Sequence, residues 1–191
     1  EFLGMQESKY LLDKMEERAP DLVHEATRLL PLQKIADLFK RLVQEQISIR
    51  DLRSILEAII TWAPKEKDIV MLCEYVRASL KRQISFKYTQ GQNILPVILI
   101  DPSVEEIIRK SVRQTSAGAF LALDPNSSKK FLQELRRIRK NCAKKPTLIA
   151  SIDIRRYVRR LIEAEFYDVP VLDYQELTPE VSVQPIDRIR F

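Results

Sequence analysis

An α+β fold is predicted for this chain. Residues 1–88 read as an all-helical subdomain with a helix-turn-helix-like segment, and residues 89–191 as a small α/β subdomain with a largely parallel sheet. Three observations carry the prediction. Before about Tyr88, apolar residues recur at helical spacing and β-branched runs are few. After the polar break Gln90-Gly91-Gln92-Asn93, short apolar runs alternate with helical stretches. Charge changes at the same place: residues 1–88 hold 15 Lys+Arg against 14 Asp+Glu, whereas residues 89–191 hold 17 against 13, most of the net +5.

In the first half, a helix is expected over Gln6–Glu17, with one apolar stripe that includes Tyr10-Leu11 and Met15. Ala19-Pro20-Asp21 stops it, because proline cannot continue a helix and disfavours helical geometry in the residue before it. A short helix follows over Leu22–Leu29. Pro31 opens a longer one, with Ile35, Leu38, Phe39, Leu42 and Val43 on one face. Ser48 is the candidate N-cap of a helix carrying Leu52, Ile55, Leu56, Ile59 and Ile60 to Trp62, which Pro64 ends. Lys65 to about Arg82 form the last helix, with Cys73 on its buried stripe.

The second half repeats one unit three times. Leu95–Ile100 is a continuous apolar run, as expected of a strand buried on both faces. Asp101-Pro102 then supplies an N-cap and a proline at the first helical position, opening a helix through Val104, Ile107, Ile108 and Val112. Phe120–Leu123 with Asp124-Pro125 repeats the device ahead of a helix through Phe131, Leu135 and Ile138. Thr147–Ala150, capped by Ser151 or Asp153, precedes a helix through Ile154, Val158, Leu161 and Ile162. Further strands are expected at Val169–Leu172 and near Val181–Val183. Alternation on short connections indicates a parallel sheet.

Several functions are disfavoured by composition. One histidine (His24) and three glycines leave no His-pair zinc site, Gly-rich phosphate loop or nucleophile elbow. No enzymatic activity, metal or cofactor is expected. Cys73 and Cys142 lie far apart without metal-ligand spacing, which favours a reducing compartment. No apolar run approaches the roughly 18 residues of a membrane-spanning helix, and no cleavable leader is visible. Glu105-Glu106 and Glu163/Glu165 read as surface acids, and Ser116 and Ser151 lack a histidine partner.

Two charged segments remain. Eight Lys/Arg residues lie between Lys129 and Lys145, opposed only by Glu134, and Arg155, Arg156, Arg159 and Arg160 follow. Solvated faces of two amphipathic helices account for them, and aromatics suited to base stacking are missing apart from Tyr157. In the first half, Arg50, Arg53 and Glu57 at i, i+3 and i+7 form a mixed-sign helix face suited to a repeated subunit contact. The competing reading is a DNA-binding regulator using residues 47–60. It is weakened by the near-neutral charge of that half, since duplex affinity comes largely from cationic contacts to phosphates.

The longer motifs resemble a known family. Gln46-Ile47-Ser48-Ile49-Arg50-Asp51-Leu52-Arg53-Ser54-Ile55-Leu56-Glu57-Ala58 is one match, and Asp153-Ile154-Arg155-Arg156-Tyr157-Val158-Arg159-Arg160-Leu161-Ile162 is a second. Val169-Pro170-Val171-Leu172 with Tyr174–Val181 is a third, and Glu74-Tyr75-Val76-Arg77 and Ala122–Pro125 agree. Together they resemble the cytoplasmic region of the export-gate proteins of type III secretion, found in injectisomes and flagella. Trp62 followed by Glu66-Lys67-Asp68 leans towards the injectisome branch. The resemblance implies a membrane domain upstream, with this chain as the membrane-distal cytoplasmic part. Glu1-Phe2 would be a cloning remnant or the tail of the preceding subdomain. It further implies a homo-oligomeric, nonameric ring beneath the inner-membrane pore, contacts with other export-apparatus and ATPase-complex stalk proteins, and reception of secretion chaperones and substrates. Much of the chaperone-binding surface would lie in preceding subdomains. Nucleic acid is not an expected partner, and the Arg50/Arg53/Glu57 face is assigned to the subunit interface.

Overall fold

The computed structural model describes residues 3–191; the expectation for Glu1-Phe2 lies outside them. The chain divides into two compact units, Glu1–Ile84 and Ser85–Phe191.

In the first unit, α1 (Met5–Glu16), α2 (Pro20–Leu29), α3 (Leu32–Gln44), α4 (Leu52–Trp62) and α5 (Ile69–Ser79) pack around buried apolar stripes. Ile35, Leu38, Phe39 and Leu42 of α3 and Ile55, Leu56 and Ile59 of α4 are removed from solvent, as their spacing predicts. Two boundaries differ from the sequence reading. Pro20 is not merely a stop for α1 but lies in the first turn of α2, where its missing N–H costs no hydrogen bond. The single helix expected over 65–82 is two, α5 and α6 (Lys81–Thr89), broken at Leu80. Its start is displaced because the Asp68 side chain accepts the Val70 N–H at 3.1 Å and fixes the first turn there.

A buried charge cluster also lies in this unit. Arg77 of α5 is 2% exposed and faces Glu45, at the end of α3, at 3.7 Å and Glu74 at 3.6 Å. Beside it, the Trp62 and Tyr75 rings stack with centroids 4.6 Å apart.

In the second unit, β1 (Ile94–Ile100), β4 (Thr147–Ile149), β5 (Val171–Leu172) and β6 (Ser182–Ile189) form a parallel sheet in the order β5-β4-β1-β6. β1 tolerates Pro96 in an inner strand because its register against β6 shifts between Val97 and Ile98. The Asp-Pro devices act as expected. Asp101 accepts the Ser103 N–H at the start of α7 (Pro102–Lys110), and Asp124 accepts that of Ser127 at the start of α8 (Pro125–Lys140). One core joins Ile98, Val104, Phe131, Leu135, Leu148, Val158 of α9 (Arg155–Ile162) and Val171.

The sheet departs from the repeat at its second unit. Phe120 and Leu121 belong to β3 (Gly118–Leu121), which pairs antiparallel with β2 (Val112–Thr115) in a separate hairpin. Val112, expected on α7, is therefore in β2. Gly118, at φ +120°, supplies the turn geometry, and Ala122 N–H donates to the Ser111 carbonyl at 2.7 Å across the hairpin base. Phe120 is 49% exposed, so this run lacks the two-sided burial that a parallel strand requires. Neither Ser151 nor Asp153 caps α9 with its side chain; the Ser151 carbonyl instead accepts the N–H groups of Ile154 and Arg155.

Arg77→Ala is expected to destabilise the chain by about 3–5 kcal/mol, because it removes the buried cation that faces buried Glu74 and largely covered Glu45. Urea unfolding followed by far-UV circular dichroism measures it, with the first unit losing its transition at lower urea than in the parent.

Candidate subunit-contact surface

The α3–α4 connection is built to expose charge above an apolar plug. Gln46 takes a left-handed backbone conformation (φ 62°), and Ile47 N–H returns to the Leu42 carbonyl at 2.9 Å, closing α3. Ile47 is 1% exposed and pins the turn to the core. Gln83 Nε2 donates to the Ser48 carbonyl at 2.9 Å from below. Ser48 does not cap α4: its hydroxyl accepts the Arg50 N–H, whereas Asp51 accepts the Ser54 N–H at 3.2 Å. Asp51 sits one residue before the helix, so its carboxylate also meets the favourable end of the helix dipole.

This cap shifts the predicted site. Arg50 lies before α4 rather than on its face, so the i, i+3, i+7 relation among Arg50, Arg53 and Glu57 is not one of helical geometry. Arg53 and Glu57 do share a face, 3.8 Å apart and more than half exposed, a pair worth at most about 1 kcal/mol in water. Arg50 and Arg53 instead converge with residues of α1 on an open groove of about 610 Å³. Leu11, Met15 and Leu52 give it apolar lining, and Lys14 of α1 and Arg18, in the turn just past it, add two cations. Glu57 does not line it. The α1 contribution was missed by sequence reasoning, since nothing local links residues 14–18 to residues 50–53. The α3–α4 connection, from Glu45 to Asp51, is also longer than the roughly three to four residues of a helix-turn-helix.

The basic segments of the second unit are largely used internally. Arg139 makes a two-pronged contact with Asp168, at 2.6 and 3.1 Å, and Lys145 approaches the same carboxylate at 3.5 Å. Arg136 meets Glu165 at 2.5 Å, and Arg137 meets Glu134 and Asp187. From α9, buried Arg155 donates to the Val171 carbonyl at 2.8 Å, and Arg159 to those of Val169 and Tyr167. Arg136, Arg139, Arg155 and Arg159 hold the 165–171 connection against the two helices; Arg160 pairs with Glu163. The arginine at 139, through a hydrogen bond, holds the Asp168 carboxyl below the usual carboxylate range.

The remaining sequence candidates have structural placements. His24 is exposed and bonds Glu16 at 2.5 Å. The Ser151 N–H and hydroxyl both donate to Glu105, and Arg109 bridges Glu106 and Asp153. Cys73 is buried, and burial pushes the Cys142 thiol up. Among the described residues, no helix is long and apolar enough to cross a membrane.

A profile of the FHIPEP family matches residues 1–182. The chain belongs to that family. The export-gate resemblance of its motifs is thereby established. Low calcium response locus protein D of Yersinia pestis is 52% identical over 192 residues, covering 99% of this chain and 27% of the relative. The chain thus spans about a quarter of the length of that relative. Among solved structures, Chlamydia pneumoniae CdsV is 54% identical with TM-score 0.93, over 99% of this chain and 55% of CdsV. CdsV has also been solved in complex with CdsO. A nonameric SctV-C from EPEC is 41% identical with TM-score 0.88, over 98% of this chain and 57% of its own. The helical first part and the parallel α/β second part are the architecture of these domains.

Because the folded Asp168 carboxyl titrates below its unfolded value of roughly 3.9, its contribution is full above that value and is lost as pH falls through the folded one. Asp168→Asn is therefore expected to lower stability at pH 7 and to flatten the acid limb below about pH 4. Chemical denaturation at a series of pH values would check this, parallel parent and variant curves counting against it.

Proposed function

We propose that this chain is the membrane-distal cytoplasmic part of a type III secretion export gate. It assembles head to tail with copies of itself into a ring beneath the inner-membrane pore, with exposed charge of its helical part at the contact between neighbours. The observation that carries the reading is the match, at 41% identity, to a domain solved as a nonamer. In this reading Arg50, Arg53 and Glu57 face the adjacent subunit. Exposed ion pairs contribute little in water, but excluding water at a contact strengthens each charge interaction.

The chain acts by binding rather than by turnover. Of the acids and serines considered for catalysis, Glu105 accepts from Ser151, and Glu106, Glu163 and Glu165 pair with Arg109, Arg160 and Arg136, which supports that view. The complex of CdsV with CdsO supports a second kind of contact, with an ATPase-complex stalk protein. Docking of secretion chaperones and substrates is assigned to the ring together with the preceding segments of the protein, on the cytoplasmic side of the membrane.

Sedimentation velocity over a range of concentrations tests the reading. Closed oligomers are expected to accumulate with concentration and to weaken as salt rises, because exposed charge contacts are screened over roughly 8–10 Å at physiological ionic strength. Arg53→Glu is expected to raise the concentration needed for assembly at least tenfold while leaving the thermal unfolding midpoint nearly unchanged. Undiminished assembly of Arg53→Glu would remove this residue from the interface.

A further inference from the structure

A ring of nine identical subunits cannot be built from one self-complementary patch. Its contacts are heterologous, so each subunit must carry two different surfaces that fit one another. The groove described above supplies one, with cations at its rim and an apolar floor. Arg18 and Arg50 have no side-chain ion pair among the described residues, and Arg53 has only its long contact with Glu57. The complementary surface must be anionic, with an apolar group at its centre.

We infer that the groove receives the exposed α1 ridge of a second copy of this chain, formed by Tyr10, Asp13 and Glu17. This inference rests on the ring reading and deepens it. The three residues sit at i, i+3 and i+7, Tyr10 and Asp13 within α1 and Glu17 at its C-cap in helical conformation, so that they form one row. Tyr10 is 61% exposed, a large apolar body with a polar tip. Asp13 has no ion pair among the described residues, and Glu17 reaches Lys14 only at 4.0 Å. The ridge thus pairs an aromatic anchor with two acids, against a groove that pairs apolar floor with basic rim.

The geometry of α1 allows one helix to serve both neighbours. At about 100° per residue, the row Tyr10, Asp13, Glu17 points roughly 120° away from the row Leu11, Lys14, Met15 that borders the groove. Neighbours in a ninefold ring are rotated by about 40°, so the two contact faces of a subunit point about 140° apart. A helix lying roughly along the ring axis meets that requirement within the breadth of a side-chain row. Tyr10 then lies over Leu11, Met15 and Leu52 of the next copy, with Asp13 and Glu17 opposite Arg18, Arg50 and Arg53.

Two charge-reversed forms of this chain test the proposal: Asp13→Lys with Glu17→Lys, and Arg18→Glu with Arg53→Glu. All four positions are exposed, and unchanged thermal unfolding confirms that each form folds. Each alone is expected to remain monomeric where the parent forms rings. Mixed, they are expected to regain assembly beyond dimers in strict alternation, because the cationic reversed ridge fits the anionic reversed groove and the unaltered ridge and groove still fit one another. Disulfide formation between Tyr10→Cys and Arg50→Cys variants, both carrying Cys142→Ser, is expected only in the mixed sample. Assembly of the ridge-reversed form at parental concentrations, or crosslinking of Tyr10→Cys to itself, overturns the proposal while leaving the ring reading intact. A parent that stays monomeric at every concentration, with no crosslink in the mixture, overturns both.

Discussion

The guanidinium of Arg77, buried between Glu45 and Glu74, ties the end of α3 to α5 and so fixes where the α3–α4 turn leaves the core. Glu45 is the residue at which α3 ends, and the left-handed Gln46 and buried Ile47 follow directly. From that anchored point the chain has only a few residues in which to expose Arg50 and then enter α4 under the Asp51 cap. The exposed charges are therefore carried on a turn whose base is rigid. A buried ion cluster of this kind is a poor source of net stability, since desolvation offsets much of its attraction. Its effect here is positional: of the alternative ways to pack the turn, those that separate Arg77 from Glu45 and Glu74 lose these buried charge contacts without recovering hydration.

The second unit uses arginine differently. Its parallel strands are joined by short connections, and the segment from Glu165 to Val171 must pass beside α8 and α9 without regular hydrogen-bonding partners of its own. Arg155 and Arg159 donate to its carbonyl groups, and Arg136 and Arg139 bind its carboxylates. Backbone acceptors that would otherwise be unsatisfied near the core are thereby paired. The high basic content of α8 and α9 thus has a structural use, and the remaining lysines on α8 are a solvated face.

Much of this architecture was legible in the residues. The apolar stripes of α3 and α4 located the helical core, and the Asp-Pro pairs located the starts of α7 and α8 to the residue. What failed did so for identifiable reasons. Phe120–Leu123 has the composition of a buried strand, but its position is decided by pairing with β2 around Gly118, and composition alone does not distinguish a sheet strand from a hairpin strand. The helix expected over 65–82 broke because Asp68 set its start and Leu80 interrupted it, whereas the apolar period continues across the break. At the candidate surface, the sequence motif located Arg50, Arg53 and Glu57, but helical spacing assumed a helix that begins before Arg50.

By itself, the sequence determined the helical and α/β halves, the Asp101 and Asp124 caps and the family, because these depend on residues within a few positions of one another or on long contiguous motifs. Tertiary structure alone decided that Arg77 is buried, that Lys14 and Arg18 stand beside Arg50 and Arg53, and that Arg136 and Arg139 turn inward to residues 29 positions away. A charged side chain has the same local signature whether it meets water, a neighbouring subunit or a buried carboxylate. Only the fold, by bringing distant segments together, selects among them.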